Sequence, residues 1–377
     1  MSLFLITFFL LYGGLHSYVF FKVWNAFHFR WVAGSLLTLL FLAMVIAPLI
    51  VRILEKSGED TYARCAAYAG YTWLGLISIF FSISICIDSL RLVAYLTGIF
   101  ARTDFSAFIC LHKVFFLIAF LGCVGIGIYG YREAGDIRVQ TLHIYTPKIS
   151  KETGKLVIAQ ISDVHLGLLV REERLKQILN LVREAHPDML VCTGDLVDGD
   201  LDKVNGLVSM LKEIEPRYGK FAITGNHEFI AGIEKSLDFI SKTGFTMLRG
   251  QALTVSGLIN IAGVDDPSGG ASNYRFVPEK TLLANLPQGL FTLLLKHRPV
   301  VDQGALGLFD LQLSGHTHKG QIYPFRYLTR LFFPLYTGYH KLPNGAHLYV
   351  TNGSGTWGPP MRFVAPPEVT VIELVHE

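Results

Sequence analysis

Two different hydrophobic patterns divide the chain. Before about residue 131, the apolar residues gather into blocks that are almost free of charge: Leu3 to Phe21, Trp31 to Val51, Ala66 to Cys86 and Phe108 to Tyr129. A block of this length is enough for a helix to cross ~30 Å of hydrocarbon. The pattern therefore predicts an α-helical membrane domain with four transmembrane helices over residues 1–131.

The first block is predicted to remain in the mature protein. It has neither a basic leading region nor a small-residue cleavage site, and three further spans follow it. An even number of spans places the amino terminus and everything after Tyr131 on one side of the membrane. The flanking basic residues on that side are Arg52, Lys56, Arg64, Arg132 and Arg138, against Lys22, Arg30, Arg91 and Arg102 on the other. This excess favours a multi-pass protein of the cell (inner) membrane with a cytoplasmic carboxy-terminal half.

The rest of the chain has a different hydrophobic pattern. A polar linker over residues 132–153, with an edge strand in it, leads into alternating strands and helices over 154–377. Predicted strands are 156–162, 189–194, 220–225, 259–264, 291–296, 310–315, 348–353 and 369–375, and predicted helices are 171–185, 202–215 and 231–243. Buried strands of this kind predict an α/β layered domain. The later strands, which have fewer helices between them, indicate a second sheet packed on the first.

Composition narrows the functional classes. The 377 residues are 51% hydrophobic, which fits a chain that lies partly in lipid. The net charge is only +3 and no basic run is present, so a nucleic-acid partner is not expected. Four of the five cysteines lie in the apolar half and Cys192 lies in a predicted strand, so the sequence predicts no disulfide framework.

Two charges stand at the edge of the third block. Asp88 and Arg91 lie three positions apart in a stretch that stays apolar to Phe100. Charged residues in membrane segments commonly serve function, and an ion pair at a helix end is the equally good alternative. The four blocks contain no transporter-like repeat, so anchoring or lipid contact is the expected role of this half.

Polar residues follow the predicted strands one after another. They are Asp163, His165, Asp195, Asn226, His297, His316 and His318. Because the carboxyl ends of strands in open α/β sheets meet at one crevice, we expect these side chains to lie together. Carboxylate, amide and imidazole ligands suit first-row divalent ions. The set is too large for one tetrahedral zinc and predicts two ions that share a carboxylate and a bridging hydroxide.

The segment GHTH supplies two of these imidazoles. In an extended segment alternate side chains point the same way, so His316 and His318 can both reach the crevice. Taken singly, each motif has an ordinary explanation, such as a capping asparagine or a hydrogen-bonded core histidine. Five such motifs at successive strand ends favour a metal site, whereas the histidines outside the pattern are expected to be structural: His143, His186, His340, His347 and His376.

The order ISDVH, GDLVD, GNHE, KHRP and GHTH resembles the calcineurin-like metallophosphoesterases, over about residues 154–375. The resemblance implies a four-layer αββα sandwich and two divalent ions such as Mn, Zn or Fe. It implies that Asp163, His165, Asp195 and His318 bind the first ion, and Asp195, Asn226, His297 and His316 the second. His227 matches the catalytic histidine of the family, which protonates the leaving oxygen or stabilises phosphoryl charge. Asp198 and Glu228 match motif positions that order the loops.

The sequence is more closely similar to the membrane-tethered bacterial branch of that family. The shared segments are GHTHKGQ, AGVDD, VTNGSGTWGPPMRF and PPEVTVIEL. That branch includes a lipid A pathway enzyme that cleaves the pyrophosphate of UDP-diacylglucosamine. The resemblance implies a membrane-anchored phosphohydrolase whose metal-bridging hydroxide attacks a phosphodiester or pyrophosphate, on a lipid-linked or nucleotide-linked substrate.

Two further features bear on the substrate. Arg298 and Arg362 are candidate donors to a second phosphate or a polar head group. The aromatic and basic run at 323–339 fits either a membrane-interface segment or ordinary packing beneath a loop. The alternative functions are a non-catalytic metal-binding scaffold or sensor, which would be expected to lack ligands, and a transporter with a regulatory domain.

Overall fold

A computed structural model of the chain describes residues 3–199, 201, 206–270 and 277–377. The chain divides into two compact units. The first comprises residues 1–132 together with 358–361, and the second comprises residues 133–357 together with 362–377.

The first unit is helical. Its helices are α1 (Leu3–Phe27), α2 (Trp31–Lys56), α3 (Asp60–Ala101), the single turn α4 (Ser106–Ile109) and α5 (His112–Gly135). Among the described residues, four helices are long and apolar enough to span a membrane, namely α1, α2, α3 and α5. The first three contain the first three predicted blocks, whereas the fourth block begins at Phe108, in the turn α4 before α5. α3 is much longer than its block, because the stretch after Cys86 stays largely apolar to Phe100.

A mixed polar and aromatic cluster joins the first three helices. The indole Nε1 of Trp73 in α3 donates to Nε2 of His16 in α1 at 2.8 Å. Phe41 of α2 packs edge-on against both rings, with centroids 5.7 Å from His16 and 5.4 Å from Trp73. A buried imidazole and a buried indole N–H thus satisfy each other, as polar groups inside an apolar bundle require.

The second unit contains two six-stranded sheets. The first has the order β1-β12-β2-β3-β4-β5 and the second β10-β11-β9-β8-β7-β6. The strands are β1 (Arg138–Thr146), β2 (Lys155–Ile161), β3 (Met189–Cys192), β4 (Lys220–Ala222), β5 (Thr246–Met247), β6 (Gln251–Val255), β7 (Ile259–Gly263), β8 (Phe291–Leu295), β9 (Leu311–Ser314), β10 (Gly338–Lys341), β11 (His347–Val350) and β12 (Glu368–His376). β2 to β5 run parallel in the first sheet, and β7, β8, β9 and β11 run parallel in the second.

Six α-helices belong to this unit among the described residues. They are α6 (Glu172–Glu184), α7 (Leu207–Lys212), α8 (Asn226–Ala231), α9 (Ile233–Lys242), α10 (Glu279–Ala284) and α11 (Arg326–Phe332). The outer face of the first sheet is covered by α6, α7 and α9, and that of the second by α10. Successive side chains of a strand point to opposite faces of its sheet, so the strands contribute to three apolar layers: one between the sheets and one on each outer face. Ile158 of β2 packs between the sheets, whereas the next residue, Ala159, packs with α6 on the outer face. In the second sheet Leu294 of β8 packs with Leu283 of α10. The predicted αββα sandwich is therefore present, preceded by the four apolar helices.

The helix predicted over residues 202–215 is α7 within the described residues 206–215. Residues 202–205 lie outside the described part of the chain. The elements absent from the prediction, β5, β6, β10, α8, α10 and α11, are all short and have no clear hydrophobic period.

The register of the parallel strands aligns their carboxyl ends. Ile161 of β2 pairs with Cys192 of β3, which pairs with Ala222 of β4. In the second sheet Leu295 of β8 pairs with Leu313 of β9. The loops that follow these five strands carry all seven of the predicted ligands.

Candidate metal centre

The first group of predicted ligands follows β2 and β9. His165 Nε2 and His318 Nε2 lie 3.1 Å apart, and His318 Nε2 is 3.4 Å from Oδ1 of Asp163. The Asp163 carboxylate accepts the backbone N–H of His316 at 2.9 Å and the hydroxyl of Ser162 at 2.5 Å. Asp163 is fully buried and both imidazoles are less than a tenth exposed, so this is an interior polar cluster.

The second group follows β3, β4, β8 and β9. His297 Nε2 lies 3.2 Å from Oδ2 of Asp195, 3.3 Å from Oδ1 of Asn226 and 3.2 Å from Nδ1 of His316. The other ring nitrogen of His297 donates to the carbonyl of Thr193 at 2.8 Å. That hydrogen bond leaves the lone pair of Nε2 directed at the cluster.

Asp195 lies between the two groups. Its Oδ2 is 3.2 Å from His297 in the second group and 3.9 Å from His165 in the first. Donor atoms of Asp163, His165 and His318 all lie within 4.8 Å of one another, and so do those of Asp195, His297 and His316. The structure thus brings all seven predicted ligands into one cluster.

The backbone of the ligand loops is strained. Five of the seven predicted ligands have a left-handed φ, which is uncommon for a residue with a side chain: Asp163 (51°), His165 (55°), Asp195 (51°), His316 (72°) and His318 (47°). Such conformations cost ~1–3 kcal/mol each and concentrate where function requires a particular direction of a side chain.

Two glycines allow the loops to approach closely. A Cβ on Gly225 would lie 2.2 Å from Oδ1 of Asp195, and a Cβ on Gly315 would lie 2.2 Å from Oδ2 of Asp163. Each glycine therefore faces a different carboxylate of the cluster. No other residue type fits at either position without moving that carboxylate.

Burial holds three of the imidazoles neutral. It lowers the pKa of His165 to about 4 and of His316 to about 3. Burial, together with the guanidinium of Arg362, also holds the pKa of His318 well below its usual range. Neutral imidazoles have the lone pair that a metal ion requires.

His297 responds in the opposite sense. Burial alone would lower its pKa, but the nearby charges of Asp195 and Asp163 raise the pKa of His297 to about 10. The same negative charges attract any cation at Nε2, and a metal ion competes with the proton for that position.

The residues fit divalent metal ions. Imidazole nitrogens face one another at 3.1 and 3.2 Å in two places, beside buried carboxylates that have no Lys or Arg counter-ion among the described ion pairs. A buried group of this kind is costly unless a cation lies among the ligands. The mixture of nitrogen and oxygen donors suits Mn, Fe or Zn rather than Ca or Mg.

His227 lies at the edge of the cluster and is held by a carboxylate. Its Nδ1 donates to Oδ1 of Asp198 at 2.8 Å, and its ring packs edge-on against His165 and Trp357, with centroids at 4.6 and 5.7 Å. Burial would lower the pKa of His227, but the hydrogen bond to Asp198 and the surrounding carboxylates raise it to about 9. The ring is therefore protonated at neutral pH and can donate from Nε2.

Glu228 ties the ligand loops together. Its buried carboxylate accepts the backbone N–H groups of Asp195, Leu196, Val197 and Gly225 at 2.6–3.3 Å. One side chain thus fixes the loop after β3 against the start of α8. Burial and the charge of Asp195 raise the pKa of Glu228 to about 7.

Comparisons with known proteins agree with this geometry. A family model described as calcineurin-like phosphoesterase matches residues 156–320. An uncharacterized metallophosphoesterase of Aquifex aeolicus is 40% identical over 251 residues, which cover 66% of this chain and 96% of the relative. The chain belongs to the calcineurin-like metallophosphoesterase family. It is a metal-dependent phosphoesterase.

The similarity also reaches the helical half. A Campylobacter jejuni metallophosphoesterase is 31% identical over 321 residues, 81% of this chain and 83% of the relative, which is more than the catalytic half alone contains. A transmembrane protein with metallophosphoesterase domain from Danio rerio is 30% identical over 263 residues, 66% of this chain and 60% of that protein. These relatives and the four apolar helices indicate a membrane metallophosphoesterase.

The structure places the two candidate substrate arginines differently. Arg298 makes a two-point ion pair with the buried Asp266, at 2.7 and 2.9 Å, and also contacts Ser268. Its side chain remains about one third exposed. Arg362 is fully buried and donates to the carbonyls of Asn352 and Gly355. Because its Nη2 also lies 3.0 Å from Nδ1 of His318, Arg362 supports the ligand loops instead of facing solvent.

Three contacts of the metallophosphoesterase centre do not follow from the sequence. The carbonyl of Thr193 orients His297, Arg362 contacts His318, and Trp357 packs on His227. A backbone acceptor carries no signal in the sequence. The other two lie in the VTNGSGTWGPPMRF segment, whose resemblance to relatives is a signal that the segment lies near the centre.

Proposed function

We propose that the protein is a membrane-anchored phosphohydrolase that uses two divalent ions sharing Asp195. Asp163, His165, Asp195 and His318 would hold one ion, and Asp195, Asn226, His297 and His316 the other. The position of the Asp195 carboxylate between the two ligand groups carries this proposal. When bound, such ions neutralise phosphoryl oxygens and lower the pKa of a water molecule, which supplies the nucleophile.

The protein side chains supply the proton for the leaving group. His227 is protonated because its pKa is raised to about 9, and Asp198 fixes its ring through Nδ1. Nε2 then carries a proton that can pass to the departing oxygen. Trp357 packs against the ring and limits its rotation.

A short exposed helix beside the centre supports a substrate with an apolar portion. In α11, Leu328, Leu331 and Phe332 are 54%, 78% and 73% exposed, and Arg326 and Arg330 alternate with them. The next residue, Phe333, packs its ring 5.1 Å from that of His316. An apolar helix with basic residues suits the surface of a bilayer. We infer a lipid-linked phosphodiester or pyrophosphate, with a nucleotide-linked one as the second candidate.

The four apolar helices would anchor this centre, and the excess of basic residues around the junction of α2 and α3 and the end of α5 favours the cytoplasmic face of the cell membrane. The anchor would thus place the enzyme and an amphiphilic substrate at one surface.

A hydrolysis panel tests the proposal. The full-length enzyme in detergent, loaded with Mn²⁺, is assayed on phosphomonoesters, phosphodiesters, nucleotide-sugar lipids and polyprenyl pyrophosphates. We expect the highest kcat/KM on a lipid-linked diester or pyrophosphate, and loss of activity in Asp195→Ala. Equal turnover of water-soluble monoesters and lipid substrates would contradict the substrate class, and an active Asp195→Ala variant would contradict the site.

A further inference from the structure

A second polar cluster lies where α1 ends and α5 begins, against the last third of α3. Asp88 of α3 accepts from Lys22 Nζ of α1 at 2.5 Å, from the Tyr18 hydroxyl at 2.7 Å and from Arg91 Nη1 at 3.2 Å. The Nε and Nη2 groups of Arg91 donate to the carbonyl of Ile109 at 2.9 and 2.6 Å. Arg91 therefore ties α3 to the turn before α5.

The cluster carries more positive than negative charge. Lys22 and Arg91 contribute two cations, and Asp88 is the one carboxylate that pairs with them among the described ion pairs. The described residues that line the adjoining cavity include no Asp or Glu. The side chains of Lys22, Arg91 and Asp88 are only 24%, 17% and 32% exposed. An uncompensated charge at a membrane depth is costly. The site is therefore arranged to accept one further negative charge.

A cavity of about 280 Å³ opens beside these cations. Its polar wall includes Lys22, Asn25 and Arg91, and its apolar wall includes Phe80, Phe115 and Phe116. The volume is just below the range for sites that hold a whole small molecule, about 300–1,000 Å³, so it suits a head group. The polar wall suits an anion and the apolar wall suits hydrocarbon. Together they fit an amphiphile with an anionic head group.

The position along the helices agrees with the head-group level of a bilayer. Asp88 and Arg91 follow the apolar block that ends at Cys86, and α3 continues to Ala101. At ~1.5 Å per residue the 42 residues of α3 exceed the ~30 Å hydrocarbon core by about a factor of two. Lys22 lies near the end of α1 and His112 is the first residue of α5, so the cavity lies at the ends of two apolar spans.

We propose that this cavity binds the phosphate of an anionic membrane lipid through Lys22 and Arg91, with the lipid chain along the phenylalanine wall. Arginine and lysine are the usual phosphate partners, and Arg91 keeps its guanidinium in place through the carbonyl of Ile109. The site is separate from the phosphohydrolase centre and does not depend on it. It makes the helical unit a specific lipid receptor in addition to an anchor.

Binding to the purified full-length protein tests this site. Native mass spectrometry in mild detergent counts bound molecules during titration with phosphatidic acid, phosphatidylcholine or inorganic phosphate. Lys22→Gln removes one cation of the site. The matched Arg102→Gln removes an exposed cation at the end of α3, the helix that carries Asp88 and Arg91. Asp88→Asn removes the competing carboxylate.

We expect Lys22→Gln to weaken phosphatidic acid binding about tenfold, the usual effect of losing one charge-assisted hydrogen bond. Arg102→Gln should keep the wild-type affinity, and Asp88→Asn should keep or increase it. If the ion cluster is purely structural, Lys22→Gln and Arg102→Gln should bind phosphatidic acid equally well. That result would overturn the proposal. Inorganic phosphate that binds as tightly as the lipid overturns the lipid assignment. If Lys22→Gln does not fold, Arg91→Lys, which keeps the charge but loses the two-point geometry, provides the same comparison.

Discussion

At the scale of single residues, the centre depends on how the Asp195 carboxylate is oriented. Its Oδ1 accepts the backbone N–H of His227 at 2.7 Å, and its own N–H is held by Glu228 at 3.0 Å. Oδ2 faces His297 and His165. The carboxylate is therefore fixed from the backbone side and presents its second oxygen to both ligand groups.

His227 gives a prediction that separates a proton donor from a metal ligand. His227→Ala should lower kcat by about 10²–10⁴-fold on a substrate with a poor leaving group, the range for a general acid. The loss should be much smaller on a nitrophenyl ester, whose leaving oxygen does not need a proton. Steady-state kinetics on the two substrates checks this, with metal content measured alongside.

Two results would contradict the role of His227. One is an equal loss on both substrates, and the other is loss of bound metal from His227→Ala, which would make the ring a ligand. Asp198→Asn is the matched variant. It keeps the shape at Oδ1 but weakens the hydrogen bond to Nδ1, so it should lower the pKa of His227 and move the alkaline limit of the pH–rate profile to lower pH.

Gly225 gives a second prediction. Gly225→Ala places a methyl group 2.2 Å from Oδ1 of Asp195, so the carboxylate must move and metal affinity should fall by about 10–100-fold, as for other changes that disturb ligand orientation. Gly206→Ala is the control, because a Cβ there meets nothing within 4 Å. Metal titration of both variants tests this prediction. Equal metal affinities would contradict it, because they would show that a methyl group at Gly225 does not displace the Asp195 carboxylate.

At the scale of elements, the sequence predicts best the strands that are buried on both faces. β2, β3, β8 and β9 are largely apolar and almost fully buried, and each ends within a few residues of a polar cluster, so both the strand and its functional end can be predicted. The ligand cluster follows from the convergence of parallel strand ends. The short elements do not follow, because a helix such as α8, of six residues, is set by Glu228 and its capping contacts instead of by a hydrophobic period.

The role of Arg362 shows a different limit. From the sequence, an arginine near a crevice is a candidate phosphate ligand, but the structure buries its guanidinium among backbone carbonyls. The five N–H donors of a guanidinium can satisfy several buried carbonyls or bind a phosphate. Only the burial of the side chain distinguishes the two uses, and burial of a polar residue is not evident from its neighbours in the sequence.

The helix α11 gives the prediction at this scale. Replacing Leu331 and Phe332 with Ser should weaken binding of the enzyme to a lipid substrate and raise its KM, because two exposed apolar side chains leave the membrane surface. Turnover of a water-soluble nitrophenyl ester should not change. KM values on both substrates in mixed micelles are the measurement.

Tyr145→Ser is the control for α11. Tyr145 is 65% exposed and pairs with Val375, which lies beside the first residue of β2 and so at the far end of the sheet from Asp163. The interfacial role of α11 fails if the double variant and Tyr145→Ser have the same KM on the lipid substrate.

At the scale of the whole molecule, the two halves of the chain suit different environments, lipid for the helices and water for the sheets. The helical unit turns apolar side chains such as Leu10, Leu11 and Leu36 outward, each more than 60% exposed. In the second unit the corresponding side chains of the strands are buried. The overall composition gives only the average hydrophobicity of the two halves. The positions of the apolar blocks along the chain show where one half ends and the other begins.

The metal ions should also stabilise the catalytic half. Ions that bind the folded centre but not the unfolded chain add about 2.7 kcal/mol to the free energy of unfolding when free metal is about 100 times its Kd. Chelation should therefore lower the melting temperature of the enzyme and remove its activity, and Mn²⁺ should restore both. Asp195→Ala should melt at the same temperature with and without chelator. Unchanged melting of the wild-type enzyme after complete metal removal would count against the centre.

Anomalous diffraction from crystals of the Mn²⁺-loaded enzyme tests the central claim most directly. We predict two peaks that share Asp195, one among Asp163, His165 and His318 and the other among Asn226, His297 and His316. A single peak in a fully active enzyme, or two peaks that do not share Asp195, would contradict the account.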